Sequence, residues 1–205
     1  MGIRLFILGL WTPKYVINKE LDKVSTLTTN ALREVMTTHL PTSTGETAEK
    51  EASRRNIEEK RASMAKEHAV LVESLVKALG REQAIKLGRE ALFKAGEKLG
   101  GETRSRLGVS DSRKDLIKAA RILYRVLGIN FKVEWQGQTS ATLIVDRCAL
   151  AKNYSELTCA VLSATDEGVV KGLNPNMNMK FENWITSGCS NCIAKISQAD
   201  TGNKT

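Results

Sequence analysis

The 205-residue chain is poor in proline, histidine and aromatic residues, and it has no long apolar run. Only three prolines are present, which excludes a collagen-like or linker-dominated chain. No apolar stretch approaches the roughly 20 residues that a membrane-spanning helix needs, so we expect no integral membrane protein. Charged residues make up 26% and hydrophobic residues 41% of the chain, a balance that excludes a disordered polypeptide.

The excess of basic charge lies entirely in the first part of the chain. Residues 1–128 contain 24 Lys or Arg and 16 Asp or Glu, which accounts for the whole net charge of +8. The remainder contains seven of each and is neutral. Acidic and basic residues alternate in the basic part without aromatic interleaving or a recognition motif, so we expect no nucleic-acid partner. The change in composition predicts a structural boundary near Gly128.

The N-terminal segment 3–11 is apolar apart from Arg4 and ends at Thr12-Pro13. It is short for a span and has no small-residue cleavage site, so a signal peptide is not expected. We expect it to pack on the protein body or on a partner, and shallow attachment to a membrane surface is the alternative. A cytoplasmic location is expected, in which cysteines are thiols or metal ligands rather than disulfides.

Apolar residues recur at helical spacing through the basic part of the chain. The pattern predicts helices over residues 16–38, from about 47 to 79, 81–99 and 111–127, which form a helical bundle. A proline and glycines between these segments predict the breaks, including one at Gly100-Gly101. The arm at 16–66 has a half-apolar stripe, so we expect a homo-oligomer or a larger complex formed through it.

The periodicity changes to two after Gly128. Ile129, Phe131, Val133 and Trp135 alternate with polar residues, and further strands are predicted at 139–145, 179–185 and 193–196 around a helix at 153–172. The fold class is therefore α+β, an N-terminal helical region followed by a β-β-α-β-β antiparallel sheet covered by helices. We divide the chain into the apolar segment and helical arm (1–45), the bundle region (46–128), the cysteine-bearing α+β region (129–198) and a polar tail (199–205).

The four cysteines are Cys148, Cys159, Cys189 and Cys192, all in the last third of the chain. They fall at a strand end, on a helix and in a hairpin, elements that can converge at one sheet edge. The two-residue spacing of the last pair is common in zinc and iron–sulfur sites, whereas the ten-residue spacing of the first pair is not. Three interpretations stay open: a four-cysteine site for zinc or an iron–sulfur cluster, small buried cysteines of which one is reactive, and a Cys189–Cys192 redox pair.

His68 and Asp166 are the candidate proton-transfer residues. His68 lies near the apolar seam of its helix, where a core histidine is the alternative. Asp166 lies two turns after Cys159 on one helix face, where a buried carboxylate can orient a thiol or activate water. A solvated helix acid is the alternative there. Catalysis predicts a closed pocket lined by Cys148, Cys159 and Asp166.

Several short segments resemble the L-2-amino-thiazoline-4-carboxylic acid hydrolase-like family. In the helical half they are Lys-Glu-His-Ala-Val-Leu at 66–71, Ala-Leu-Gly-Arg-Glu-Gln-Ala at 78–84 and Gly-Glu-Lys-Leu-Gly at 96–100. In the second half they are Cys-Ala-Leu-Ala at 148–151, Cys159, Asp-Glu-Gly at 166–168, Gly-Leu-Asn-Pro at 172–175 and Gly-Cys-Ser-Asn-Cys at 188–192. The resemblance covers about residues 65–196. The chain departs from the family at Ala149, where a proline is usual, and in its helical region before Glu46. A more distant similarity is to 4-vinyl-reductase-type small-molecule-binding domains.

The resemblance implies hydrolytic opening of a thiazoline ring, a cyclic C–N bond hydrolysis. In such a reaction Cys148 or Cys159 would be the nucleophile, or water on a metal held by the cysteines would attack, and Asp166 and His68 would handle protons. Basic residues of the helical half would hold a substrate carboxylate. The alternative is a non-catalytic sensor or accessory subunit that binds metal or an iron–sulfur cluster through Cys148, Cys159, Cys189 and Cys192.

Overall fold

The computed structural model describes residues 2–39 and 56–199, and within these ranges the chain folds into helices and one four-stranded sheet. The helices are α1 (Ile3–Leu10), α2 (Lys14–His39), α3 (Ile57–Leu79), α4 (Arg81–Leu107), α5 (Arg113–Leu127) and α6 (Glu156–Leu173). The strands are β1 (Ile129–Gln136), β2 (Ser140–Cys148), β3 (Met177–Asn183) and β4 (Cys192–Gln198). They pair antiparallel in the order β1-β2-β4-β3. The predicted α+β class and the β-β-α-β-β order are confirmed.

Three of the described helices begin at residues whose side chains cap them. Asn56 and Glu59 form a reciprocal capping box at the start of α3, and Ser112 and Ser155 accept backbone N–H bonds at the starts of α5 and α6. The break predicted at 40–45, the predicted start of the third helix near residue 47 and nearly all of the polar tail lie outside the described residues. No helix in the described ranges combines the length and the apolar character needed to cross a membrane.

The sheet has one apolar face and one polar face, as the period-two pattern predicts. Burial alternates along β1, whose residues Phe131, Val133 and Trp135 are partly buried while the intervening polar residues are exposed. On β2, Val145 is paired with Cys192 at the start of β4. The third predicted strand ends earlier than expected, because Ile185 already belongs to a short 3-10 turn.

The predicted end of a helix at Gly100-Gly101 is wrong, because α4 continues without a break to Leu107. The reason is packing against α6. Two glycines of each helix contact the backbone of the other helix, and these are Gly96 and Gly100 on α4 and Gly168 and Gly172 on α6. A Cβ added at Gly100 would lie 2.4 Å from the carbonyl oxygen of Val169, far inside any allowed contact. These glycines permit a backbone-to-backbone contact across the composition boundary rather than stopping a helix.

Candidate functional site

A cavity of about 90 Å³ lies where α2, α3, α5 and α6 meet the apolar face of the sheet. Its wall is mostly apolar, with side chains such as Val24, Met64, Leu162 and Phe181. A cavity of about 150 Å³ lined by apolar side chains takes up benzene. The present cavity therefore suits a molecule no larger than a small single ring.

All four residues predicted to act in catalysis line this cavity: His68, Cys148, Cys159 and Asp166. They come from α3, the end of β2 and two positions of α6 that lie two turns apart, so the fold joins segments that are far apart in the sequence. Cys192 lines it too, whereas the fourth cysteine, Cys189, is exposed and is not a lining residue. The catalytic roles of these residues stay predictions.

A chain of hydrogen bonds crosses one side of the cavity from Tyr154 to α2. The Tyr154 hydroxyl lies 2.7 Å from His68 Nδ1, and Thr28 Oγ1 lies 2.7 Å from His68 Nε2. The Thr28 hydroxyl donates its proton to the Val24 carbonyl oxygen at 2.8 Å, so it can only accept from the ring. We therefore assign the proton to Nε2, which leaves Nδ1 to accept the Tyr154 proton. The phenolic oxygen then retains lone pairs that can accept a hydrogen bond from a molecule in the cavity.

His68 is uncharged in this setting. Its residue is only 2% exposed, and burial lowers the pKa of the imidazole to about 4. Both ring nitrogens are already engaged, so the histidine orients Tyr154 and Thr28 rather than contacting a ligand directly. Burial also raises the pKa of Tyr154 well above its ordinary value, so the phenol keeps its proton.

Asp166 is the carboxyl group of the site and titrates near neutrality. Enclosure by the protein raises its pKa to about 7, the negative charge of Glu167 adds to the rise, and the nearby Tyr124 hydroxyl opposes it. The part of its surface that is accessible faces the cavity and a smaller neighbouring cavity of about 40 Å³ that it also lines. A carboxyl group half ionised near pH 7 can both take up and deliver a proton at that pH.

The three thiols of the cavity are protonated at neutral pH. Burial raises the pKa of Cys159 to about 12, and it also raises the pKa values of Cys148 and Cys192. Proximity to the other thiols adds to the rise at Cys148 and Cys159. A thiol is a weak nucleophile and a weak metal ligand until it loses its proton. Among the described residues, no three or more Cys, His, Asp or Glu side chains group to hold a metal ion. Metal binding by the four cysteines stays a prediction.

Several buried polar atoms around the cavity have no hydrogen-bond partner of normal geometry among the described residues. Tyr124, which is 6% exposed, is one of them, although its hydroxyl lies near enough to the Asp166 carboxyl to lower the pKa of that group. The indole N–H of Trp184 and the hydroxyl of Thr165, both on lining residues, are also unpaired within the described part of the chain. A buried polar group without a partner costs about 1–3 kcal/mol. These groups therefore favour a ligand or solvent molecule that offers them hydrogen bonds.

Within the described ranges, no Lys or Arg lines the cavity. The expectation that basic residues of the helical half reach a bound carboxylate is therefore not met there. Instead, two arginines hold the surrounding helices. Arg61 of α3 donates to the carbonyl oxygens of Arg125 and Val126 at the end of α5, at 2.7 and 2.9 Å. Arg89 of α4 pairs with Glu167 at 2.6 Å.

Glu167 and Asp166 are adjacent in the sequence but differ in their roles. Glu167 receives the Arg89 guanidinium and also accepts the Phe181 backbone N–H at 3.2 Å, which ties α6 to α4 and to β3. Asp166, one position earlier, turns toward the cavity and has no such cation. The ion pair and the glycine contact with α4 fix the position of α6 and so of the Asp166 carboxyl.

Four polar lining residues were not predicted from the sequence, and they are Thr28, Tyr124, Tyr154 and Trp184. Tyr154 precedes the helix cap Ser155 in an irregular segment, and no periodic pattern marks it. Tyr124 stands within an amphipathic helix, where an aromatic residue is an ordinary core residue. Only the pairing of distant segments in the fold brings these groups to His68 and Asp166.

The fold and the site define an α+β protein with a mostly apolar cavity between its helices and its sheet. The sequence profile of the L-2-amino-thiazoline-4-carboxylic acid hydrolase family matches residues 55–195. The chain belongs to this family, as the resemblance of its motifs implies. Membership supports a hydrolase-like, small-molecule-binding role. No curated protein matches the sequence.

Solved structures of other proteins are similar to this chain. One is trafficking protein particle complex subunit 3 from Naegleria fowleri, covalently bound to palmitic acid. It has 16% identity and a TM-score of 0.54 over 68% of this chain and 95% of that one. Another is the phenol-responsive sensory domain of the transcription activator PoxR with phenol, with 17% identity, a TM-score of 0.49 and 85% and 91% coverage. The first likeness shows a shared fold.

Proposed function

We propose that the chain hydrolyses the ring of a compact cyclic amidine or amide that carries no carboxylate, with Asp166 transferring the protons. The observation that carries the proposal is the mostly apolar cavity whose lining, within the described residues, includes the Asp166 carboxyl, the Tyr124 hydroxyl near it and the unpaired Trp184 N–H, and no cation. A carboxylate ligand would face Asp166 at close range without a counter-charge, which is costly in a buried site. A neutral or cationic ring would not carry this cost.

The polar groups of the cavity match the hydrogen-bonding pattern of an amidine. The Trp184 indole can only donate, so it requires an acceptor atom on the ligand. The Tyr154 oxygen, whose proton is committed to His68, accepts a ligand N–H. Asp166 provides a second acceptor when ionised. An amidine or amide offers both N–H donors and an acceptor within one small planar group.

The chemistry follows from a carboxyl group that both accepts and donates protons near neutrality. Asp166 takes a proton from water as the water oxygen bonds to the ring carbon of the amidine or amide group, and it delivers that proton to the ring nitrogen. The remaining O–H proton follows the same route as the carbonyl forms and the C–N bond breaks. One water is consumed, and the product has a carbonyl and a free amine.

Water is favoured over a thiol as the nucleophile. The pKa of Cys159 near 12 and the raised pKa of Cys148 leave very little thiolate at neutral pH. Neither thiol lies in a hydrogen bond with His68, whose nitrogens are both occupied. In this proposal the cysteines shape the cavity and Asp166 is the one residue that exchanges protons with the substrate.

The test is incubation with 2-amino-2-thiazoline, a cyclic amidine without a carboxylate, followed by mass spectrometry of the product. We expect a gain in mass of one water and the appearance of a free amine. Asp166→Asn should retain binding of the ring and lose turnover by a factor of about 100 or more, the usual contribution of a general acid–base. Cys159→Ser, at the same cavity wall, should keep most of the activity. Turnover undiminished in Asp166→Asn would contradict the proposal.

The second candidate is a ligand-binding protein without turnover. It is favoured by the protonated thiols and by the small volume of the cavity, which leaves little room for water beside a ring. This candidate predicts that the ring raises the midpoint of thermal unfolding and that no product forms. The same incubation distinguishes the two.

A further inference from the structure

Helix α1 exposes an apolar stripe that the fold does not explain. Its helical members lie at positions i, i+3, i+4 and i+7 of one face, and they are Ile3, Phe6, Ile7 and Leu10. Trp11, the extended residue that directly follows the helix, is also exposed, and we include it in the stripe. Leu10 is 71% and Trp11 69% exposed. On the opposite face Leu5 is fully buried and Leu8 packs against the main core. The helix is thus apolar on both faces, although the buried face alone is enough to pack it against the protein.

The helix is held firmly in place, so the exposed stripe is a fixed surface. Arg125 of α5 donates to the carbonyl oxygens of Leu8 and Gly9 at 3.2 and 3.3 Å and to the Thr12 hydroxyl at 3.0 Å. These bonds satisfy the end of α1. At its beginning, Gly2 lies so close to Leu107 that an added Cβ would be 2.2 Å from that carbonyl oxygen.

The charged residues of the sequence that carries the stripe have a single sign, although Glu58 of α3 lines a surface depression together with Lys14. Residues 1–19 contain Arg4, Lys14 and Lys19 and no Asp or Glu. All three basic residues are exposed. Tyr15, at the start of α2, is also exposed, so two aromatic residues of the type found at membrane–water interfaces stand among these cations. An apolar stripe with Trp and Tyr beside cations is the composition of a helix that lies in a lipid interface.

We propose that α1 docks in the plane of an anionic lipid surface, with the stripe Ile3–Phe6–Ile7–Leu10–Trp11 in the interface and Arg4, Lys14 and Lys19 at the headgroups. A second copy of the chain fits the surface less well. A symmetric contact through α1 would bring Arg4 of both copies together, and α1 itself has no acidic residue to pair with it, whereas anionic headgroups neutralise it. The arm α2 does not offer such a stripe, since Leu21, Val24 and Leu32 are buried in the fold.

The test is co-flotation of the whole chain with vesicles of phosphatidylcholine alone and of phosphatidylcholine mixed with phosphatidylserine. We expect binding to the mixed vesicles, weak binding to the neutral ones and a blue shift of Trp11 emission that Trp11→Phe removes. Ile7→Ser with Leu10→Ser should reduce binding at least tenfold. Val70→Ser is the matched control, because Val70 is 61% exposed on α3, away from the stripe.

The contribution of the basic residues to lipid binding is tested with a second pair of double variants. Lys14→Gln with Lys19→Gln should reduce binding to the mixed vesicles, about fivefold for each charge removed. Lys132→Gln with Lys180→Gln, at exposed positions on the outer face of the sheet, should leave it unchanged. Equal binding to both vesicle types would overturn the proposal, as would no binding to either. A concentration-dependent dimer that Ile7→Ser with Leu10→Ser dissociates would overturn it in favour of self-association.

Discussion

Asp166 and His68 make opposite contributions to the pH dependence of unfolding, and Asp166→Asn separates them. The folded protein holds the Asp166 proton up to a pKa of about 7, against an ordinary 3.8, so its stability falls as pH rises through this window. His68 has a folded pKa of about 4, against 6.5, so the unfolded chain takes up its proton first. Its contribution therefore rises with pH between about 4 and 6.5.

The two shifts have similar size. Between pH 5 and pH 8 the Asp166 contribution to the free energy of unfolding falls by about 2 kcal/mol, after allowance for the part of the carboxyl that faces the cavities. Over the same range the His68 contribution rises by about 2 kcal/mol. These two groups together leave the wild-type stability nearly level. Asp166→Asn removes the contribution that falls with pH. The free energy of unfolding of the variant, compared with that of the wild type, should therefore rise by about 2 kcal/mol from pH 5 to pH 8.

The assay is urea unfolding followed by circular dichroism at several pH values between these limits, with the slope m checked for constancy. Asp146→Asn is the matched control, because Asp146 is an exposed carboxylate on β2. The free energy of unfolding of Asp146→Asn should change with pH as that of the wild type does. Parallel curves for Asp166→Asn and the wild type would refute the assignment of Asp166 as the buried titrating group.

Three further predictions concern packing, the histidine and the thiols. Gly100→Ala should lower the free energy of unfolding by about 3 kcal/mol or more, because the added methyl group would collide with the backbone of α6. Gly101→Ala is the control: the added methyl would have open space, so the variant should be neutral or more stable by up to about 1 kcal/mol. Urea unfolding measures both. Tyr154→Phe should cost about 1–3 kcal/mol by leaving the buried imidazole nitrogen unpaired, and exposed Tyr15→Phe should cost nothing measurable. Ellman's reagent should modify Cys189 rapidly in the native protein and the three cavity thiols only on unfolding, so Cys189→Ser should abolish the fast phase.

The class of the fold follows from local patterns that tertiary packing leaves intact. Alternation in β1 depends only on neighbours in the sequence, and the structure has this strand where the pattern predicts it. The capping residues Asn56 and Ser155 are local features too, but they were not predicted from the sequence. The prediction was wrong at Gly100, because the sequence alone does not distinguish a glycine needed for contact between two helices from a glycine that ends a helix. Only the partner helix distinguishes the two.

The candidate site was predictable where a residue type is unusual for its surroundings. Cysteines, a lone histidine in an apolar seam and an acid on an apolar helix face stand out in the sequence, and the structure places Cys148, Cys159, His68 and Asp166 at one cavity. The direction of the pKa shifts was not predictable, since it depends on burial and on the missing cation. Tyr154 and Trp184 carry no local signal at all.

The most direct test of the account is a pair of calorimetric titrations of the whole chain, with 2-amino-2-thiazoline and with the same ring bearing a 4-carboxylate. The cavity has a carboxyl group and, within the described residues, no lining cation, so we expect the ring without the carboxylate to bind at least tenfold more tightly. Asp166→Asn should narrow that difference by relieving the repulsion of the carboxylate. Tighter binding of the carboxylate ring to the wild type would contradict the account.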